Sequence, residues 1–236
     1  MVEKITEEKT LVVHDLTKIF AHPSKKDTNF SLFAGASFRM TNNAPNFLLG
    51  VSGSGKTTLL RILSSLEPIN AGELFLNEIA IHLLRGKEKT AFLRNLGTMD
   101  QFPANNLALS LSVRQNLDYT LTLYTSLARE ERQKRIKEFI SLVGLERHLE
   151  RRTLVLSGGE LRRLALLCSL IYEPELLLCD EPTSQLDHNN KQLVIRCIEE
   201  LHSISNALIV IATHDRTISN KNPTYEIIDR RIQKCQ

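Results

Sequence analysis

The 236-residue sequence has no apolar run long enough to cross a bilayer, which takes about 18 residues. Its longest, Leu164–Tyr172, is about half that length and contains Cys168 and Ser169. A chain that spans a membrane on its own helices is thereby excluded. The opening segment, MVEKITEEK, mixes both charge signs with no apolar stretch behind it, so no signal peptide is expected. Charge of one sign is also scarce. Lys and Arg number 30 against 27 Asp and Glu, a formal net charge of +3, too mild to call for a nucleic-acid partner. Arg147, Arg151, Arg152, Arg162 and Arg163 do gather locally, and a solvated helical face is their expected place. Only four cysteines occur, Cys168, Cys179, Cys197 and Cys235, none at metal-ligand spacing. The first three lie among apolar residues, as buried reduced thiols of a cytosolic protein do. Internal repeats, low-complexity tracts and Gly/Ser linkers are all missing.

What is present is an ordinary 42% of hydrophobic residues, enough for the core of one large α/β domain, with or without an insertion. The N-terminal third is β-rich. Thr10–His14, Phe30–Phe33 and Phe47–Leu49 read as short strands broken by the polar turns HPSKKD and TNNAPN. A helix is expected over Thr58–Leu66, ending before Pro68. From Leu111 to Leu149 the chain is helix-prone: Ile136, Phe139, Ile140 and Val143 recur at helical spacing, with Gly144 as a C-cap. Leu161–Ile171 and the amphipathic Asn189–His202 are further helices. Leu176–Cys179 and Leu208–Ala212 are fully apolar strands, which points to a mostly parallel sheet covered on both faces. The helical middle reads as an inserted subdomain.

Three motifs carry chemistry. Gly50-Val-Ser-Gly-Ser-Gly-Lys-Thr57 fits G-x-x-x-x-G-K-[ST] and lies between an apolar strand and a helix, as a phosphate-binding loop requires. A triphosphate must meet many backbone N–H groups at once, and Gly50, Gly53 and Gly55 permit the tight wrap, with the helix N-terminus adding positive potential. Lys56 is expected to reach the β- and γ-phosphates and Thr57 to hold Mg²⁺. Leu176-Leu-Leu-Cys-Asp180-Glu181 ends an apolar strand in carboxylates at the sheet's C-terminal edge. Asp180 is expected to hold Mg²⁺ through water, and Glu181 to orient and activate the attacking water. Leu156-Ser-Gly-Gly-Glu160 opens a helix and has two compatible readings: Ser157-x-x-Glu160 is a capping box, while Gly158 and Gly159 clear side chains from a helix tip that a phosphate could approach.

GVSGSGKTT, LSGGE and LLLCDEP, in that order over nearly the whole chain, resemble the ABC (ATP-binding cassette) ATPase family. That resemblance implies a P-loop NTPase (RecA-like) α/β fold over residues 1–236. Its mostly parallel core would carry an N-terminal antiparallel β subdomain and an inserted helical subdomain at about 102–172. Carried over position by position, Phe20 stacks on adenine. Gly50, Ser52, Gly53, Ser54, Gly55, Lys56, Thr57 and Thr58 bind ATP. Thr57, Gln101 and Asp180 serve Mg²⁺, and Gln101 reports to a membrane partner. Glu181, His214, Lys56 and Gln101 carry hydrolysis, with His214 on the γ-phosphate. Asp187 links the two sites of a homodimer, and Ser157, Gly158, Gly159 and Glu160 contact the nucleotide of the opposite subunit. Four positions depart from the family wording: Glu160 stands for glutamine, Cys168 for arginine, Thr153 for proline, and Arg230 for the glycine before the last strand. They put subfamily and helical packing in doubt.

Lys89–Gly97, Gln101, Asn106–Leu109, Val113–Leu117 and Asp180–Asp187 resemble the lipoprotein-release and macrolide-export branch. The resemblance implies an ATPase on the inner face of the cell membrane, driving a separate integral-membrane, permease-like subunit. Two alternatives stay open: the ATPase subunit of an importer, and a soluble non-transport ATPase.

Overall fold

A computed structural model describes residues 7–21, 29–219 and 222–235; HPSKKD lies outside the described residues. In chain order the first elements are β1 (Thr10–Ala21), β2 (Asn29–Thr41), β3 (Asn46–Leu49), α1 (Lys56–Leu63), β4 (Ala71–Leu76), β5 (Ile79–Ala80), α2 (Gly86–Arg94) and β6 (Leu96–Met99). Then come α3 (Val113–Tyr124), α4 (Arg129–Ile140), α5 (Gly158–Leu170), β7 (Leu176–Asp180), α6 (His188–Ser205), β8 (Leu208–Thr213), β9 (Thr224–Ile228) and β10 (Arg231–Lys234). They form two compact units, Met1–Leu93 with Leu208–Gln236, and Arg94–Ala207.

The first unit holds an antiparallel sheet in the order β2-β1-β4-β5. Its strands are much longer than the short segments expected from sequence. Register shifts between Val13 and Leu16, and again on either side of Lys18, absorb Asp15 at φ 47°, and bulges of this kind let a strand continue through residues that would otherwise end it. Lys18 is buried there, its ammonium 2.6 Å from Glu67 Oε1 and 2.6 Å from the Pro68 carbonyl. Beside this sheet in the same unit, β3 runs parallel to β8 and β9, and β10 pairs antiparallel with β9. Every residue of β3 and β8 is buried, as apolar parallel strands require. The turn into β3 is pinned by Asn46, whose Nδ2 donates to the carbonyls of Thr41, Ala44 and Ile209. The helix expected over Thr58–Leu66 starts earlier and stops at Leu63, because Ser65 turns left-handed at φ 59°.

The second unit carries the parallel pair β6–β7, with Leu96 opposite Leu176 and Met99 opposite Cys179, and the helices α3 to α6. Gly97 lets α5 lie directly on β6: a Cβ there would stand 2.5 Å from the Ser169 carbonyl. Ser112 and Gln115 close a capping box on α3, and Gly144 ends the turn after α4 at φ 63°. The expected stripe Val194, Cys197, Ile198 and Leu201 is the buried face of α6. Burying side chains of this size stabilises by about 1.5–3 kcal/mol each.

The departures from family wording find local accommodation. Thr153 is fully buried; its N–H donates to Leu111 O at 2.9 Å and its Oγ1 accepts from Asn116 Nδ2 at 2.9 Å. A proline would forfeit both bonds. Cys168 is a buried thiol that desolvation pushes up to about 12, hence unreactive. Cys179 and Cys197 are buried and Cys235 is exposed. Arg230 and Asp229 form the two-residue turn between β9 and β10, both left-handed at φ 66° and 47°.

Candidate functional site

In the first unit, Leu49 pairs with Thr213 at the C-terminal ends of parallel β3 and β8. Gly50 and His214 therefore leave the sheet side by side, at the edge where open α/β sheets bind ligands. The loop from Gly50 could not be built with larger residues. Gly53 and Gly55 are left-handed at φ 79° and 103°, and a Cβ on Gly50 would lie 2.4 Å from Ser54 Oγ. Buried Lys56 arches back over the loop, its Nζ donating to Gly50 O at 2.8 Å and Val51 O at 3.2 Å.

Two features fit this loop to a phosphate chain. The N-cap of α1 is Gly55, with no side-chain cap on the first turn's N–H groups, so that helix end keeps its affinity for an anion. Ser54 Oγ is buried without a hydrogen-bond partner, a polar group that a bound oxyanion would satisfy. Ser52, Gly53 and Thr57 are exposed, and Thr58 is half-buried. Phe20, at the far end of β1, is 36% exposed, with the Lys18 ammonium 4.5 Å from its ring centre.

In the second unit, the register of β6 with β7 brings Asp100–Gln101 and Asp180–Glu181 out at the same strand ends. Glu181 is buried and left-handed at φ 49°, a strained backbone of the kind that clusters at functional sites. Gln101 is exposed. Among the described residues no group of three or more His, Cys, Asp and Glu could by itself cage a metal. Oxygen donors of the Thr57, Gln101 and Asp180 type suit Mg²⁺, which takes few protein ligands beside phosphate and water.

The expected solvated arginine face is corrected at Arg162, which is only 4% exposed. Its Nη1 donates to Gln101 O at 3.1 Å and Glu181 O at 3.4 Å, and its Nη2 to Ser184 O at 2.6 Å and Ser184 Oγ at 3.2 Å. Desolvation lowers its pKa. The sequence carried a signal for this. Leu164–Cys168 is an unbroken apolar run, so that stretch of helix must be buried all round, and Arg162 shares a face with Ser169, whose Oγ donates to Thr98 O on β6.

At the start of α5 the capping box is complete. Ser157 N and Oγ donate to Glu160 Oε2 at 2.7 and 2.8 Å, and Glu160 N donates to Ser157 Oγ at 3.4 Å. His148 Nε2, which sequence reasoning missed, lies 3.3 Å from Glu160 Oε1. Burial pushes the Glu160 carboxyl up, but the Ser157 donors, with His148 and Arg163, outweigh it and hold the carboxyl below its ordinary range. The two glycines have separate reasons. A Cβ on Gly158 would meet nothing within 4 Å, whereas one on Gly159 would stand 2.6 Å from Asn190 Oδ1. Asn190 in turn holds Asp187, donating from N at 3.0 Å and Nδ2 at 2.6 Å. These bonds from Asn190 keep the Asp187 pKa low. The second unit thus places Ser157–Glu160 against Asn190 and Asp187, and ties Gln101, Glu181 and Ser184 through Arg162.

The family profile described as ABC transporter matches residues 33–184. The lipoprotein-releasing system ATP-binding protein LolD of Buchnera aphidicola subsp. Schizaphis graminum is 32% identical over 209 residues, 89% of each chain. The methionine import ATP-binding protein MetN 1 of Pseudomonas fluorescens (strain Pf0-1) is 32% identical over 182 residues, 77% of this chain but 54% of its own length. Among solved structures, the ATP-binding cassette MJ0796, a dimer in a post-hydrolysis state bound to ADP and Pi, aligns with a TM-score of 0.80 at 24% identity. That alignment covers 96% of this chain and 99% of the other. At that identity the likeness speaks to the fold.

Proposed function

We propose, from the premise that this chain belongs to the ABC transporter family and is one of its ATPases, that it works as a homodimer driving a separate integral-membrane subunit in export or lipoprotein release. The observation that carries this reading is the extent of the match within this chain: the lipoprotein-release relative matches 89% of it and the methionine-import relative 77%. Among the described residues no helix is long and apolar enough to cross a membrane, so a membrane-spanning partner would hold the chain at the inner face.

In this reading Gly50, Ser52, Gly53, Ser54, Gly55, Lys56, Thr57 and Thr58 take the triphosphate. Lys56 Nζ exchanges the Gly50 and Val51 carbonyls for phosphate oxygens. Phe20 offers its exposed ring to adenine. Mg²⁺, when bound through Thr57, Asp180 and Gln101, neutralises charge on the phosphates. Glu181 takes the proton of the attacking water, and His214 and Lys56 meet charge developing on the γ-phosphate. The tip Ser157–Glu160 meets the nucleotide of the second copy, and Asp187 links the two sites. ATP then favours the closed dimer because some of its contacts exist only there, and loss of γ-phosphate reopens it.

Glu181→Gln is the test. A positioned general base contributes about 10²–10⁴-fold, so turnover should fall by that factor while ATP binding survives and an ATP-bound dimer accumulates on size-exclusion chromatography. Parental turnover would remove the role given to Glu181. The same variant, recovered with ATP from native membranes, should bring down a membrane subunit with a large external domain. A permease with an external binding protein would instead select import, the second reading, which the methionine-import relative favours.

A further inference from the structure

Arg162 lies just inside α5, one turn below the helix tip, and is buried beside half-buried Leu161 and Arg163, ahead of the apolar run Leu164–Cys168. Burying a cation is costly unless its N–H groups are met, and here they are met by oxygens of three residues on two segments. Nη1 serves the carbonyls of Gln101 and Glu181; Nη2 serves the carbonyl and hydroxyl of Ser184. Gln101 follows β6, Glu181 follows β7, and Ser184 opens the turn that leads to Asp187 at the head of α6. A leucine would pack in that helix without desolvating a charge. A planar fork with fixed donor directions, by contrast, can set two backbone segments at fixed spacing.

We propose that Arg162 is a positioning residue for ATP hydrolysis. It locks the segment of Gln101 after β6 to the turn Glu181–Ser184 after β7, from within the helix whose tip carries Ser157. The proposal rests on the roles given above to Glu181 and Gln101. Buried and bonded to protein oxygens, its guanidinium acts by fixing where the Glu181 backbone sits, and so where that carboxylate points. Because α5 also carries Ser157–Glu160, any tilt of the helix when its tip is gripped passes to both segments through one side chain.

Arg162→Lys keeps the charge on a single ammonium that cannot span three acceptors. Since displacement of about 1 Å can cost about 10²-fold in rate, R162K should lose roughly ten- to a hundredfold in kcat, with KM for ATP held within about twofold. Arg162→Ala should lose more and regain turnover when millimolar guanidinium is added, while ammonium at the same concentration restores nothing. A helix-packing role would lower melting temperature without that chemical rescue. If R162A does not fold, Arg162→Gln, whose amide can still serve two carbonyls, takes its place. Parental kcat in R162K, or a folded R162A or R162Q whose loss guanidinium leaves untouched, overturns the proposal. Full activity in Glu181→Gln would sink the underlying reading; inactive E181Q beside fully active R162K would sink Arg162's role alone.

Discussion

Gly158 and Gly159 are neighbours in sequence with opposite physical reasons, and substituting each by alanine separates folding from function. At Gly158 a methyl group meets nothing within 4 Å, and the backbone is not left-handed. Alanine there should stabilise the isolated chain by about 0.4–1 kcal/mol, chiefly by restricting the unfolded state. For a chain of this size that is a rise of roughly 1–4 °C in melting temperature. If the helix tip receives a phosphate from a second copy, the same methyl stands where the oxygen approaches. Losing one hydrogen bond to a charged group costs about 1.5–3 kcal/mol, roughly ten- to a hundredfold in closure and turnover. Gly158→Ala should therefore melt higher without nucleotide and hydrolyse ATP far more slowly. Scanning calorimetry and a phosphate-release assay on one preparation read both. Gly159→Ala should differ, because its Cβ would stand 2.6 Å from Asn190 Oδ1 and displace the amide that donates to Asp187. That cost offsets the helical gain of alanine, so no rise in melting temperature is expected. A Gly158→Ala protein with parental turnover would refute the tip as a nucleotide contact and leave the capping box as the motif's whole purpose.

Arg230→Gly should raise the melting temperature by roughly 1–6 °C. It relieves a left-handed non-glycine residue worth about 1–2 kcal/mol and forfeits an exposed cation–π contact with Phe30 worth about 0.5 kcal/mol; a fall would mean that the Phe30 contact outweighs the backbone. Glu160→Gln keeps an acceptor for the capping box but loses its charge, so it should melt slightly below the parent at neutral pH, a negative charge at a helix N-terminus contributing about 0.3–1 kcal/mol. The Glu160 carboxyl sits below its ordinary 4.5 in the folded chain. Its contribution is therefore complete above that pH and drains away as pH falls through the lowered value. The gap between parent and variant in thermal melts should close in acid. A constant gap would mean that the carboxylate's charge plays no part.

The strands and helices around the chemistry were legible because their signals are local. Full burial of Leu176–Cys179 and Leu208–Ala212 is written in uninterrupted apolar runs, and the phosphate loop in its glycine spacing. The long β1 and β2 were not, since a bulge at Asp15 carries pairing past polar residues that look like a break. Nor were the partners that hold the functional loops. Asn190, His148 and Arg162 act across 3, 12 and up to 61 positions of sequence. Each is a polar residue with no motif of its own, placed only when helices pack. Arg162 was misread because charge was weighed by composition, while burial is set by the helix around it.

Strain and its restraint lie next to each other in the second unit. Glu181 and Gln185 both take left-handed backbone, at φ 49° and 61°, conformations that cost about 1–3 kcal/mol each and persist only where surroundings over-determine them. The segment between them is held at Glu181 O and Ser184 O by one guanidinium, and closed by the Ser184 N–H bond to Glu181 O at 3.1 Å. At its far end Asn190 secures Asp187. Releasing the guanidinium would let the backbone at Glu181 relax toward an ordinary conformation, and any relaxation there rotates the carboxylate away from its working direction. The loss expected in Arg162 variants is thus a loss of direction at Glu181. Parent and R162K should then show kcat–pH profiles of one shape and different height. A shifted profile would mean that Arg162 acts on the carboxylate's charge and not on its aim.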